Sequence, residues 1–457
     1  MARVLLIAYE FPPSPSPQSL RWAYLARELA LAGNQVHVLA PEHPGDGAGM
    51  PVLPATVTVH RTFAGPVMGI LNSSIRRRRA REESSGSAGT SKNVGDGVPP
   101  PAIAEQLNWK GRVWHVGLNW KGRIFEALKG LAAILLFPDS RTEWLPWARH
   151  RLFKLLKQIH PDVVISSHEP AMTLRLGLLA KSRGYRWFAD LGDPVLAPYT
   201  PRRWHRRAMS LEAKVCAQAD HVLVTTSAAA QLLSNRHGGF GGQCSVLTQG
   251  FDGRRARAQR GASASLFEDD KLELLYTGSF YSFRKSGELL AAVAAVPGVR
   301  LNIASVVVPE DVIAASRRAP QSVRLLGFLR HTQALELQQL ADVVVNIANE
   351  DPCQVPGKLF EYFGSQRPIL HLASSSEDAS AGMILMYRRG WVCDNEAMLI
   401  ATKLKDLKGA HQHRRLEVGL DLGLEQVSSH DWRSLGSKLS GLISTSIQQD
   451  GACHGGN

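Results

Sequence analysis

The sequence predicts an α/β fold built from two Rossmann-like domains, and three observations carry that expectation. Apolar runs of strand length alternate with helix-period segments along most of the chain. The alternation pauses at a polar, arginine-rich stretch, residues 253–265, and then restarts. A chain of 457 residues is also about three times the usual length of one domain.

In the first half, residues 3–8 (RVLLIA), 35–40, 162–166, 185–189 and 221–225 read as strands, and 18–32, 171–182 and 203–217 as helices. In the second half, 272–276, 300–304, 323–326, 343–347, 369–372 and 391–393 read as strands. The expected organisation is therefore an N-terminal domain over 1–255, a C-terminal domain over 266–430, a closing helix over 431–447 and a flexible tail over 448–457. Ligands of such folds sit beyond the carboxyl ends of the strands, so a central cleft faced by both sheets is the expected site.

Residues 65–138 break the alternation and are read as an insertion. It contains the run Arg76, Arg77, Arg78 and Arg79, and a Ser/Gly/Pro-rich stretch over 84–101, with 82–101 read as a disordered loop. It also holds LNWKGR twice, at 107–112 and 118–123. A period of 11 is close to three helical turns, which places Trp109 and Trp120 on one face if the segment is helical. With Lys110, Arg112, Lys121, Arg123 and Lys129, residues 107–129 suit an anionic membrane surface or, equally, an amphipathic helix packed on the domain.

The formal charge, 53 − 40 = +13, favours anionic partners without choosing among them. No nucleic-acid module is recognisable, so specific nucleic-acid binding is not expected. Five cysteines without a CxxC or a His/Cys cluster argue for reduced thiols, a cytoplasmic setting and no metal centre. The start lacks a signal-cleavage pattern, and the best apolar run, 131–137, is far too short to cross a bilayer. Membrane contact is accordingly expected to be peripheral, at the inner face of the cytoplasmic membrane.

The first strand-to-helix turn, YEFPPSPSPQSLR over 9–21, lies where anions meet free backbone N–H groups but lacks GxGxxG, which disfavours a nicotinamide or flavin cofactor. Ser16, Gln18 and Ser19 are placed to cap the helix or to line an acceptor or phosphate loop, with Arg21 beside them. This turn resembles glycosyltransferase family 4 of the GT-B fold, where an FPP-type turn precedes an arginine and a helix as Phe11, Pro12, Pro13 and Arg21 do here; ADLGDP at 189–194 resembles its bacterial polysaccharide branch. Glycines usual in that family are replaced by Ser16 and Pro17.

The resemblance extends to SSHEP at 166–170, which implies that His168 contacts the donor sugar, and to ADLGDP at 189–194, similar to DxRDP with Gly192 in place of arginine. There Asp190 and Asp193 cap a turn or orient an acceptor hydroxyl. TQGFD at 248–252 resembles the family's NGxD turn at the end of the first domain. In the second domain Gly278 ends a strand, where a glycine lets backbone approach a ligand, and Arg284 and Lys285 follow. The family has an arginine where Ser279 stands and a lysine where Arg284 stands.

The most specific element is VPGKLFEYFGSQRPIL at 355–370. Lys358 and Glu361, three apart, share a helix face while Leu359 and Phe363 pack inward. The string is similar to the family's PxKxFEYxxxxxPI segment, which implies that Lys358 binds donor phosphate and Glu361 the nucleotide ribose. Where the family often adds a glutamate eight residues earlier this chain has Cys353, leaving Glu350 or Asp351 to serve instead.

The resemblance implies a retaining, sugar-nucleotide-dependent hexosyltransferase with a nucleotide diphosphate sugar as donor, no cofactor and no metal. Its acceptor is expected to be a lipid-linked or polysaccharide hydroxyl. The catalytic candidates are His168, Asp193 and Glu350. A nucleotide-sugar-binding scaffold without turnover is the alternative, supported by the altered positions Gly192, Ser279 and Cys353.

Overall fold

In the computed structural model the chain is described over residues 1–255, apart from 46, 48, 67, 70–136, 138 and 139, and over 266–454, apart from 281–284, 306, 350, 352, 353 and 376. The expected insertion and the LNWKGR repeats fall almost wholly outside the described residues. Contacts divide the chain into two units, one from Met1 to Thr248 with Trp432–Asn457, the other from Gln249 to Asp431, aside from residues among those not described.

Among the described residues the first unit holds seven parallel strands: β1 (Arg3–Ile7), β2 (Gln35–Pro41), β3 (Val57–Thr62), β4 (Val163–His168), β5 (Trp187–Leu191), β6 (His221–Val224) and β7 (Gln243–Val246), in the order β3-β2-β1-β4-β5-β6-β7. Helices α1 (Pro17–Leu31), α2 (Leu145–Ile159), α3 (Met172–Lys181), α4 (His205–Gln218) and α5 (Ser227–His237) connect or cover them. Parallel strands sandwiched by helices are buried on both faces, and β4, β5 and β6 are buried at every residue. α1 begins where Ser16 accepts a hydrogen bond from the Ser19 amide and Pro17 occupies the first turn. The C-terminal helix Trp432–His454 packs on α1, with Trp432 stacked on Tyr24 at a centroid distance of 5.2 Å.

Among the described residues the second unit has six parallel strands: β8 (Leu272–Thr277), β9 (Val299–Ala304), β10 (Val323–Gly327), β11 (Val343–Ile347), β12 (Ile369–Ala373) and β13 (Gly390–Asp394), in the order β10-β9-β8-β11-β12-β13. Its helices are α6 (Gly287–Ala295), α7 (Glu310–Arg318), α8 (His331–Leu340), α9 (Gly357–Ser365), α10 (Ala379–Met386) and α11 (Ala397–Gln412). Its largest apolar cluster joins Leu274, Tyr276, Leu301, Val345 and Leu372 of the sheet to Leu289, Val293, Ile400 and Leu404 of the helices.

The α/β class, with two doubly wound sheets, agrees with the sequence expectation. The differences are local. β3 and the edge strand β7 carry only partly buried or exposed side chains, so neither presents the apolar run that marks a buried strand. The strand expected at 185–189 begins at Trp187, because Tyr185 turns its hydroxyl to the Leu156 carbonyl at 2.8 Å. The helix expected from 203 starts at His205 after a 3-10 turn over Arg202–Trp204, and the last helix runs on to His454.

Candidate active site

In a doubly wound sheet, adjacent strands whose connections leave in opposite directions open a crevice at their carboxyl ends. The strand orders put one such switch point between β1 and β4 and another between β8 and β11. Each gathers candidate residues within its own unit.

At the first, the turn after β1 and the start of α1 face the end of β4. Gln18 Nε2 donates to Ser167 Oγ and to the His168 carbonyl, both at 2.8 Å, and lies 3.3 Å from Asp190 Oδ2. Arg21 is fully buried: its Nη2 donates to Asp190 Oδ1 at 3.0 Å and to the Leu247 carbonyl at 2.8 Å, and its Nη1 to the Thr248 carbonyl at 2.5 Å. Trp22 Nε1 donates to the other Asp190 oxygen at 3.0 Å. Arg21 and Asp190 thus form an interior ion pair, each side chain 0% exposed, so neither presents its charge to a ligand. For Asp190 this corrects the expectation of an acceptor contact. The reason is distance along the chain: Arg21 and Asp190 are 169 residues apart, and only the fold shows that they are partners.

Ser16 is the N-cap of α1, and Ser19 is buried beneath it. His168 is 5% exposed, and its Nδ1–H donates to the Asp193 carbonyl at 2.9 Å. A carbonyl only accepts, so Nδ1 carries a proton, and in the neutral ring Nε2 is the acceptor. The Asp193 carboxylate receives the Tyr199 hydroxyl at 3.1 Å. The loop carrying Asp193 is held from behind by buried Glu212, which accepts from the Leu196 amide at 2.9 Å and from Arg236 at 2.6 Å.

At the second switch point, β8 ends in Gly278, whose φ of +109° is one that residues with a β-carbon rarely adopt. A Cβ there would lie 3.7 Å from Lys358 Cδ, so the glycine turn and the lysine stem border the same space. Pro356 is the N-cap of α9, with Gly357 opening the helix. Lys358 and Glu361 are half-buried on one side of α9, while Leu359 and Phe363 are fully buried as the spacing requires. The Lys358 ammonium sits 3.7 Å from the Tyr276 ring centroid, a cation–π contact at the end of β8.

Glu361 is met by two residues of α8: Oε1 lies 2.9 Å from His331 Nε2, and Oε2 is 3.5 Å from Gln338 Nε2. Gln338 Nε2 also donates to Thr277 Oγ1 at 3.0 Å, and Tyr362 Oη takes the Thr277 amide at 3.1 Å. Complete burial drives the Tyr362 phenol far above its ordinary pKa, so it stays neutral. His331, Gln338, Tyr276 and Tyr362 escaped the sequence reading. His331 and Gln338 are seven apart, two helical turns, which was the available signal.

Ser279 is half-buried and its carbonyl accepts from Tyr276 Oη at 3.1 Å; Lys285 is exposed just before α6. Arg284, Glu350 and Cys353 lie outside the described residues, whereas Asp351 is described and half-buried. Among the described residues, no group of three His, Cys, Asp or Glu is arranged around a metal position, and no helix is long and apolar enough to cross a membrane.

Two doubly wound parallel sheets in separate units, each with polar residues at its switch point, define the GT-B class. Residues 108–255 match the family model described as Glycosyltransferase Family 4, about a third of the chain. Among solved structures it is similar to sucrose-phosphate synthase from Thermosynechococcus elongatus, with a TM-score of 0.66 at 14% identity, covering 97% of this chain and 99% of that one. It is also similar to Anabaena Alr3699/HepE, solved in complex with UDP and glucose, with a TM-score of 0.59 at 11% identity, covering 97% and 100%. A third is α,α-trehalose 6-phosphate synthase from Burkholderia multivorans, with a TM-score of 0.59 at 11% identity, covering 99% and 100%. No curated protein sequence matches the chain.

Proposed function

We propose that the protein is a retaining hexosyltransferase that takes its sugar from a nucleoside diphosphate sugar and transfers it to a hydroxyl of a lipid-linked or polysaccharide acceptor. The observation that carries this reading is the meeting of the Gly278 turn and the Lys358 stem at the β8–β11 switch point, one helical turn from Glu361. A glycine turn admits a bulky anion close to backbone, and an ammonium beside it neutralises phosphate charge. The similarity to the Anabaena protein solved in complex with UDP and glucose supports the same donor chemistry.

In this reading Lys358 holds the diphosphate, with Ser279, Arg284 and Lys285 from the segment after Gly278, and Glu361 accepts hydrogen bonds from the ribose. The bond between the anomeric carbon and the diphosphate oxygen breaks as the bond to the acceptor oxygen forms on the same face. The acceptor proton passes to the departing diphosphate. Lys358 stabilises the negative charge that grows on that leaving group. His168, with Nε2 as acceptor, orients a donor-sugar hydroxyl; Asp193 orients the acceptor, in a loop with Ser16, Gln18, Ser19 and Arg21 behind it; Glu350 faces the donor sugar. No cofactor or metal is assigned a role. Residues 107–129 would hold the enzyme peripherally on an anionic membrane, at the cytoplasmic face.

The test is nucleotide release by the full chain from a panel of UDP-, GDP- and ADP-hexoses, with and without lipid-linked acceptors, followed by the anomeric configuration of the product. Acceptor-dependent release with retention is expected. Tight nucleotide-sugar binding without release from any donor would establish the scaffold alternative instead.

A further inference from the structure

We propose that His331, on α8, is a positioning residue for the nucleotide: it holds Glu361 so that the carboxylate grips both ribose hydroxyls, making the site selective for ribonucleotides. The proposal rests on the donor reading of Glu361 above, and goes beyond it by adding a partner from a different helix.

The argument starts from what a carboxylate can accept. An ionised carboxylate offers about four lone-pair directions. His331 Nε2 occupies one on Oε1 at 2.9 Å, and Gln338 Nε2 approaches Oε2 at 3.5 Å. Since the carboxylate accepts only, the neutral ring must carry its proton on Nε2. One direction on each oxygen is left, which matches two vicinal hydroxyls, one to each oxygen. The Glu361 side chain is 24% exposed, enough to be reached from solvent, while the His331 side chain behind it is 16% exposed.

A second observation concerns the far side of the ring. His331 Nδ1 is buried and has no hydrogen-bond partner among the described residues. A ring serving only to pack α8 would be expected to satisfy both nitrogens, because a buried polar atom without a partner is destabilising. Here one nitrogen goes unsatisfied while the other meets the carboxylate. Gln338 extends the arrangement: it is fully buried and joins Glu361 to Thr277, the residue before the Gly278 turn. The ribose contact and the proposed phosphate contact are thereby fixed to one rigid strand end.

The experiment is equilibrium binding of UDP, ADP and GDP, each beside its 2′,3′-dideoxy counterpart, to the full chain and to His331→Ala, His331→Gln and Glu361→Ala. Wild type should prefer the ribose form. His331→Ala should weaken the ribose form by about tenfold, the loss of one hydrogen bond to a charged group. It should leave the dideoxy form unchanged, which also serves as the internal check that the variant is folded. His331→Gln, whose amide can still donate, should recover most of the preference, and Glu361→Ala should abolish it. In turnover, His331→Ala should raise the donor KM with kcat nearly unchanged. Equal losses for ribose and dideoxy forms, or no loss in either, would overturn the proposal and leave His331 as a packing residue. If wild type binds none of the three nucleotides, the donor reading itself fails and this proposal falls with it.

Discussion

Between β1 and β4, the charged side chains of the first unit are turned on one another: Asp190 receives Arg21, Trp22 and Gln18, and both members of its ion pair are 0% exposed. Between β8 and β11, at the equivalent place in the second unit, the carboxylate of Glu361 is 24% exposed and Lys358 borders a glycine turn. The same strand order supports both. The difference lies in what the fold does with charge. A buried ion pair hydrogen-bonded to several elements locks them together, whereas a partly exposed carboxylate backed by side-chain N–H donors keeps accepting capacity for a ligand.

Four substitutions break or sharpen this contrast. The largest effect is expected for Arg21→Ala, which leaves Asp190 buried without its cation and should lower unfolding stability by about 3–5 kcal/mol in chemical denaturation. Replacing the pair together, with Arg21→Met and Asp190→Leu, should recover much of that loss. Little loss in the single variant would mean that the pair is not the latch of the first unit.

Next, Lys358→Met should reduce nucleotide release about 10²- to 10³-fold, the usual cost of removing one group that stabilises leaving-group charge. Its unfolding midpoint should stay close to that of wild type. A variant that loses stability in step with activity would place Lys358 with Arg21 as a structural cation.

Gly278→Ala should be felt through the backbone rather than through a clash, since the added carbon would meet Lys358 Cδ at an ordinary 3.7 Å. A φ of +109° imposed on alanine is strained by about 1–3 kcal/mol, seen as a lower unfolding midpoint together with a raised donor KM. The smallest effect is expected for Gln18→Leu, which removes its hydrogen bonds to Ser167, the His168 carbonyl and Asp190, worth about 1–2 kcal/mol in stability, and should leave the donor KM unchanged. A changed acceptor KM in this variant would show that the first switch point also meets a ligand.

How much of the site was legible depends on how far apart its parts are in sequence. Lys358 and Glu361 could be read because they lie on one short helix after an apolar strand, where a spacing of three has a single geometric meaning. His331 and Gln338 could not be assigned to Glu361, since they come from a helix 30 and 23 residues earlier. Arg21 was read with a phosphate-binding turn because a cation near a helix start has two possible destinations. Its partner lies in β5, 169 residues on, and no local pattern connects them.

By itself, then, the sequence determined the α/β class, most of the strands and the helix that carries Lys358 and Glu361, because each is written in the period of nearby side chains. The tertiary structure alone decided which charges are buried and which meet solvent. Burial depends on what another segment brings against a side chain, and for Arg21 that is Asp190 while for Glu361 it is His331 and Gln338.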